Sequence, residues 1–214
     1  VLHAGYQDPG GAWIAGPEIS SVEQRVGLRG AFNGGFRLNV GAGGFFEGGR
    51  SAANLVPGDA SVVTYADGTT DIGAWGRDVP ARGKSVISVR QNLQLLVDGG
   101  QLASDVDQYS PWGATLGGGF AVARSALGID RYGNLLWAGS SYSTPRAIAT
   151  ALVTAGAVRA LQLDINPQWV AGFAFAQGQQ RAALPSQSRP IGTFLSPYSR
   201  DFFVVISRSA TTPG

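Results

Sequence analysis

The sequence predicts an α+β fold, a strand-rich single domain in which a few helices pack on a mixed or antiparallel sheet. Three observations lead there. Glycine makes up 32 of 214 residues, about twice the usual share. It falls in clusters at Gly10-Gly11, Gly34-Gly35, Gly43-Gly44, Gly48-Gly49, Gly99-Gly100 and Gly117 to Gly119, which punctuate short runs of the kind that form strands. Two hairpin signals lie between those clusters, and one helix is signalled at both of its ends.

The elements follow in chain order. Ile19 to Arg25 reads as a short helix, with Ser20 or Ser21 as cap and Glu23 near its positive end. In SVVTYADGTTDIGAW a two-residue Asp67-Gly68 turn separates runs rich in Val, Thr and Tyr, a strong hairpin signature. SVISVRQNLQLLVDGG reads as one long strand or as two strands broken near Asn92. A second hairpin, FAVARSALGIDRYGNLLWAG, turns near Arg131 to Asn134. The helix follows, with Thr144 as N-cap, Pro145 in its first turn, Ile148, Leu152 and Ala155 on one face, and Gly156 at its end. VRALQLD and DFFVVISR read as short buried strands, and SATTPG as a frayed tail. The domain is therefore drawn over residues 1–208, with 209–214 as the tail.

Composition narrows the chemistry. The 16 basic residues, 15 of them Arg, are scattered, and the net charge is only +2. Nucleic acid, which selects a basic patch or stripe, is not an expected partner. No run approaches the ~18 apolar residues of a membrane span, and the opening VLHAGYQDPGG lacks the regions of a signal peptide. The absence of Met fits a trimmed, exported chain. Without Cys, thiolate nucleophiles, thiolate metal sites and disulfides are excluded. With His3 as the single histidine, zinc sites of two or three His cannot form, and no G-x-S-x-G turn or phosphate-binding glycine loop is present. What remains is carboxylate, amide and guanidinium chemistry.

Three segments can carry it. In AFNGGF, Asn33 can donate to or accept from a ligand, while Gly34 and Gly35 suit either a turn at positive φ or a close backbone approach, with Phe36 beside them. Arg124 stands amid Val122 and Ala126, so it must meet a carboxylate or await an anion. Asp164, in LQLDIN, ends a buried strand and suits catalysis or a loop cap equally. Arg90 and Asn92 share one strand face and Gln91 takes the other, which reads as an exposed polar face or a ligand contact. Glu47 in GGFFEGGR is the most conspicuous second carboxylate, with a solvated loop as its default place. Trp75, Trp112, Trp169, Phe36, Phe45 and Phe46 could stack on a sugar or fill the core.

The order AFNGGF, GGFFEGGR, the DGT hairpin, RSALGID with its following G-N-L strand, and LQLD resembles the phosphodiester glycosidase family, in a form similar to its bacterial branch. The family pattern has Gly-Gly-Gly-Ser after the Asp, whereas this chain has Ile165-Asn166-Pro167-Gln168, so Asn166 is the residue placed to replace the lost backbone contacts. The resemblance implies hydrolysis of a sugar-1-phosphodiester at the anomeric carbon, on a phosphorylated glycan of the cell envelope or outside the cell. It implies catalytic roles for Asp164, Arg124 and Asn33, with Glu47 as partner, and substrate contacts from Gly34, Gly35, Phe36, Arg90, Asn92 and Asn166. No cofactor is expected. Two other readings stand beside it: a phosphodiesterase acting at phosphorus with Ca2+ or Mg2+ held near Ser104 to Gln108, and a glycan-binding module without turnover.

Overall fold

The computed structural model describes residues 1–115, 117–176 and 179–207. The expected tail, 209–214, lies outside the described residues. Among the described residues fifteen strands form three five-stranded sheets, and every strand pair is antiparallel. The first sheet, in the order β1-β15-β2-β13-β14, joins β1 (Leu2–His3), β15 (Phe202–Ile206), β2 (Leu28–Asn33), β13 (Gly172–Ala176) and β14 (Gln179–Ala182). The second, β11-β10-β12-β8-β9, holds β11 (Leu135–Ser143), β10 (Val122–Asp130), β12 (Ala157–Gln162), β8 (Leu95–Asp98) and β9 (Gln101–Leu102). The third, β4-β3-β7-β5-β6, holds β4 (Arg50–Ala53), β3 (Phe45–Glu47), β7 (Val86–Gln91), β5 (Ala60–Tyr65) and β6 (Thr70–Ala74).

This corrects the expected fold class: the protein is all-β, not α+β. Among the described residues the α-helices are α1 (Ser21–Arg25) and α2 (Pro145–Thr154). The physical reason is that the sheets bury one another rather than a helical layer. A shared core takes Phe32 and Phe203 from the first sheet, Leu127, Leu161 and Leu95 from the second, and Phe45, Val62 and Ile72 from the third. Alternation along the strands sends the neighbouring residues outward. Ala31, Phe202 and Val204 pack under Phe194 and Tyr198, and Val63, Tyr65 and Val89 form a separate cluster with Val79. The helix α2 covers the outer face of the second sheet only, laying Ile148, Ala149 and Leu152 on Leu96, Ala126 and Ala160.

Ser20 caps α1 in a reciprocal capping box with Glu23. Thr144 caps α2 by accepting from Ala147 N at 3.2 Å, and Gly156 just past its end has φ +99°. The β5–β6 hairpin forms where expected but turns through three residues, Ala66 to Gly68, not two, since Tyr65 N donates to Thr69 O and Gly68 N, at φ +77°, donates to Tyr65 O. The β10–β11 hairpin turns over Arg131 to Asn134 as expected. SVISVRQNLQLLVDGG is two strands in two different sheets, β7 in the third and β8 in the second, with Leu93 at φ +59° between them. That crossing brings the C-terminal ends of β2, β7 and β12 to the N-terminal ends of β10 and β15.

Candidate functional site

At this meeting point the structure opens a cleft of about 840 Å³. Asp164, Arg200, Asn166, Ile165 and Trp169 form part of one wall, and Phe36, Arg37 and Leu93 part of another. Val122, Ala123, Ser141 and Tyr142 also face it. Of the described lining residues, Asp164 is the single carboxylate and Arg37 and Arg200 are the cations.

Asp164 follows β12 on a segment fixed by backbone bonds to Ser125: Ser125 N donates to Asp164 O at 2.9 Å and Leu163 N to Ser125 O at 2.8 Å. The residue is 5% exposed. Burial pushes its pKa up to about 6, although Arg200 and the amides of Asn166 and Ile165 pull the other way; Asp201 adds to the rise. Asn166 N donates to Asp164 Oδ1 at 2.9 Å, and Asn166 Oδ1 in turn accepts from Gln168 N at 2.9 Å. The Ile165-Asn166-Pro167-Gln168 departure thus builds a compact turn that steadies the carboxylate.

Arg200 is the main site residue that sequence reasoning missed. Its Nη2 lies 3.4 Å from Asp164 Oδ2 and donates to Gly35 O at 2.9 Å. Its Nε is 3.5 Å from Asp8 Oδ2 yet is a buried donor without a hydrogen-bond partner among the described residues. The guanidinium also sits 5.2 Å from the Trp169 ring centroid, with Arg189 at 4.6 Å from the same ring. The neighbouring Asp201 pairs with Arg90 at 2.8 Å, both fully buried. The available signal was the Arg200-Asp201 doublet directly before the charge-free run FFVVI, since two charges at the mouth of a buried strand need partners.

The remaining candidates separate into those that build the site and those that lie away from it. Asn33 is buried and committed inward: its Nδ2 donates to Gly34 O and to Ser125 Oγ, both at 2.9 Å, and its Oδ1 accepts from Ala171 N at 3.1 Å. Gly34 and Gly35 have no positive φ. They are glycine because of close approach: a Cβ on Gly34 would stand 1.9 Å from Asp201 Oδ2, and one on Gly35 2.8 Å from Asn92 Oδ1. Phe36 lines the cleft and donates its N–H to Asn92 Oδ1 at 2.9 Å. Arg90, Gln91 and Asn92 are all buried, so the exposed polar face read from sequence is corrected. The Arg90 guanidinium also donates to Phe36 O, and Asn92 Nδ2 donates to Gln162 O at 2.8 Å and Leu163 O at 3.1 Å. These side chains clamp the four site segments together, with their hydrogen bonds directed to protein groups.

Arg124 meets no carboxylate among the described residues. Its guanidinium donates to Gln162 Oε1, to Phe120 O at 3.3 Å and to Ser143 O at 3.4 Å, and burial pulls its pKa down to about 10. It is buried and is not among the described lining residues of the cleft. Glu47 is not on a solvated loop but buried in β3, accepting from Ile14 N at 3.0 Å and Ala15 N at 3.2 Å, with its pKa raised by burial. The structure does not bring it to the cleft. Of the candidate aromatics Phe36 and Trp169 line the cleft, while Phe45 and Trp112 are core. The carboxylates considered for Ca2+ or Mg2+ have other partners: Asp105 accepts from Gln94 Nε2 at 2.7 Å and Asp107 pairs with Arg146 at 2.5 Å. Among the described residues no group of three or more His, Cys, Asp or Glu is placed to hold a metal ion.

No family model and no curated protein matches the sequence. At the level of fold, the chain is similar to a solved glycosidase catalytic domain. That structure is the zebrafish N-acetylglucosamine-1-phosphodiester alpha-N-acetylglucosaminidase catalytic domain, auto-inhibited by its pro-peptide; it aligns with a TM-score of 0.53 and 16% identity over 88% of this chain and 69% of that one. A hypothetical protein from Synechocystis aligns with a TM-score of 0.49 and 14% identity over 84% of this chain and 52% of that one. The first likeness establishes a shared fold.

Proposed function

We propose that the chain is a hydrolase that cleaves a sugar-1-phosphodiester at the glycosidic bond, acting on a phosphorylated glycan at the cell envelope or outside the cell. The observation that carries this reading is a buried Asp164, its pKa held near 6 at a cleft wall beside Arg200, whose Nε lacks a hydrogen-bond partner among the described residues. The fold shared with a glycosidase catalytic domain supports it. So does the count of carboxylates. An ordinary glycoside needs a second carboxyl to protonate a poor leaving group. A phosphate monoester leaves without that help, and Asp164 is the single carboxylate of the described cleft lining.

The steps balance with these residues alone. Water adds to the anomeric carbon as the bond from that carbon to the phosphate oxygen breaks, giving a free sugar and a phosphomonoester. Asp164, ionised above its raised pKa, accepts the proton from water and faces the positive charge that develops on the sugar ring. Arg200 donates to the phosphate oxygens as charge accumulates on them, a contribution that strengthens in a site shielded from water. Trp169, stacked with Arg189 and Arg200 and lining the cleft, gives the sugar an aromatic wall to lie against. Asn33, Arg90 and Asn92 position the Gly34-Gly35-Phe36 segment, and Asn166 holds Asp164.

The test is hydrolysis of a panel of aryl and uridine sugar-1-phosphodiesters in oxygen-18 water, with and without EDTA. Label in the sugar, with activity surviving EDTA, supports cleavage at carbon. Label in the phosphate, or loss of activity with EDTA, moves the assignment to a metal-dependent phosphodiesterase. Binding without turnover across the panel moves it to a glycan-binding module.

A further inference from the structure

The cleft has a buried end and an open end, and the open end carries a charge that the proposed reaction does not use. Asp164 and Arg200 are each about 5% exposed, whereas Val40 is 62% and Tyr142 76% exposed on the same cleft. Arg37 lies with them, exposed, and makes no hydrogen bond or ion pair with its side chain among the described residues. Arg200 by contrast is shared between Asp164 and Asp8. The backbone around Arg37 is not adrift: Leu38 N donates to the Asp8 oxygen that lies 3.5 Å from Arg200 Nε, and Val40 N donates to Arg37 O at 3.2 Å. One carboxylate thus fixes the Arg37 segment relative to the guanidinium at the buried end. The mouth of the cleft therefore presents a cation unpaired among the described residues, on the same lining as the exposed Val40 and Tyr142, with its backbone held at a set place relative to Arg200.

Resting on the reading above, we propose that this open end is a subsite for the leaving group, and that Arg37 binds a second anionic group, phosphate or carboxylate, on the far side of the scissile phosphodiester. With the sugar against Trp169 and the scissile phosphate at Arg200, the second ester arm of the phosphate is directed to the mouth, where the phosphomonoester product also departs. Tyr142 and Val40 cover the apolar part of that arm, and Arg37 meets its charge. The substrates selected are then glycosyl phosphodiesters whose aglycone is itself anionic.

The experiment compares three substrates with one sugar and one linker length, ending in a hydroxyl, a carboxylate or a phosphate, on wild type, Arg37→Gln and Arg25→Gln. Arg25 lies on α1, off the cleft. An exposed charge pair of this kind gives up to about fivefold preference. The expected result is a kcat/KM ratio of about fivefold, charged over neutral, that falls to about one in Arg37→Gln, persists in Arg25→Gln and shrinks in 0.5 M salt, a concentration at which screening is strong. Preference for one anionic ending over the other tells whether phosphate or carboxylate is read. A wild-type ratio near one, or a ratio that survives Arg37→Gln, overturns the subsite. The same comparison by calorimetric binding of the three non-cleavable phosphonate analogues separates the two claims: absence of turnover on all substrates, with an Arg37-dependent binding preference, sinks the hydrolase reading and leaves the subsite standing.

Discussion

Replacing Asp164 by Asn should stabilise the protein while removing its activity. A carboxyl that ionises near 6 instead of near its usual 3.8 is easier to protonate in the folded state than in the unfolded one. The folded protein therefore binds more protons between those two values, and stability falls as pH rises through that window. Above pH 6 the full penalty is present, about 3 kcal/mol. Asn imitates the protonated carboxyl, keeps an oxygen for the Asn166 N–H, and is neutral at every pH. At pH 7.5 the variant should gain up to about 3 kcal/mol, which for a chain of this size is about 6–12 °C in Tm. At pH 4 the two proteins should melt within about 1 kcal/mol of each other. Loss of the base should lower kcat/KM by about 100-fold to 10,000-fold. Thermal melts from pH 4 to 8, run beside the hydrolysis assay, measure both. A variant that melts lower than wild type at pH 7.5, or that keeps its activity, refutes the reasoning, because an ordinary loop cap loses stability on truncation and has no part in turnover.

Three further outcomes follow from the geometry. Gly34→Ala places a Cβ 1.9 Å from Asp201 Oδ2 and 2.8 Å from Asp201 O, so the Arg90–Asp201 pair must break; a loss above about 3 kcal/mol is expected in denaturant unfolding, and a midpoint within experimental scatter of wild type would show that the pair can be displaced freely. Inorganic phosphate should raise the wild-type Tm by occupying Arg200; most of that rise should persist in Arg124→Met, since Arg124 is buried and is not among the described cleft-lining residues, and vanish in Arg200→Gln, with the reverse pattern assigning the phosphate to Arg124. Although burial opposes it, hydrogen bonds from His3 and Ser20 hold Glu23 at about 2, so its contribution is present above its unfolded value near 4.5 and is lost as pH falls toward 2. Glu23→Gln should accordingly show a shallower fall in Tm between pH 5 and pH 3 than wild type, and an equally steep fall would remove Glu23 from the acid response.

What could be read from the sequence was whatever depends on near neighbours. The Thr144 cap and the Arg131 to Asn134 turn are settled within a few residues and are found where the pattern put them; the Asp67-Gly68 turn is there with one residue more than expected, and of the two readings around Asn92 the broken one holds. The fold class was missed because a well-capped α2 announces a helix without saying how much sheet it covers, and sheet-on-sheet burial leaves no local mark. In the site, Asp164 and the Asn33 to Phe36 segment drew attention by composition, and the structure does bring them together. The partners that make sense of them are distant. Arg200 reaches Gly35 across 165 positions and Arg90 reaches Asp201 across 111. No periodicity encodes such pairings, so a buried clamp at Arg90 to Asn92 was indistinguishable from an exposed polar face.

The separation between Arg90 and Asp201 bears on how the molecule is made. A ribosome adds about 5–20 residues per second, so Arg90 emerges roughly 5–20 s before the carboxylate that neutralises it. During that interval β3, β7 and β5 can pair, but the guanidinium at the end of β7 cannot be buried at acceptable cost. Closure waits for β15, which slots between β1 and β2 and carries Arg200 and Asp201 at its head. The nascent chain is thereby kept from sealing its polar centre early, and a copy that stops short of β15 exposes an unpaired charge by which it can be told from one that carries the strand.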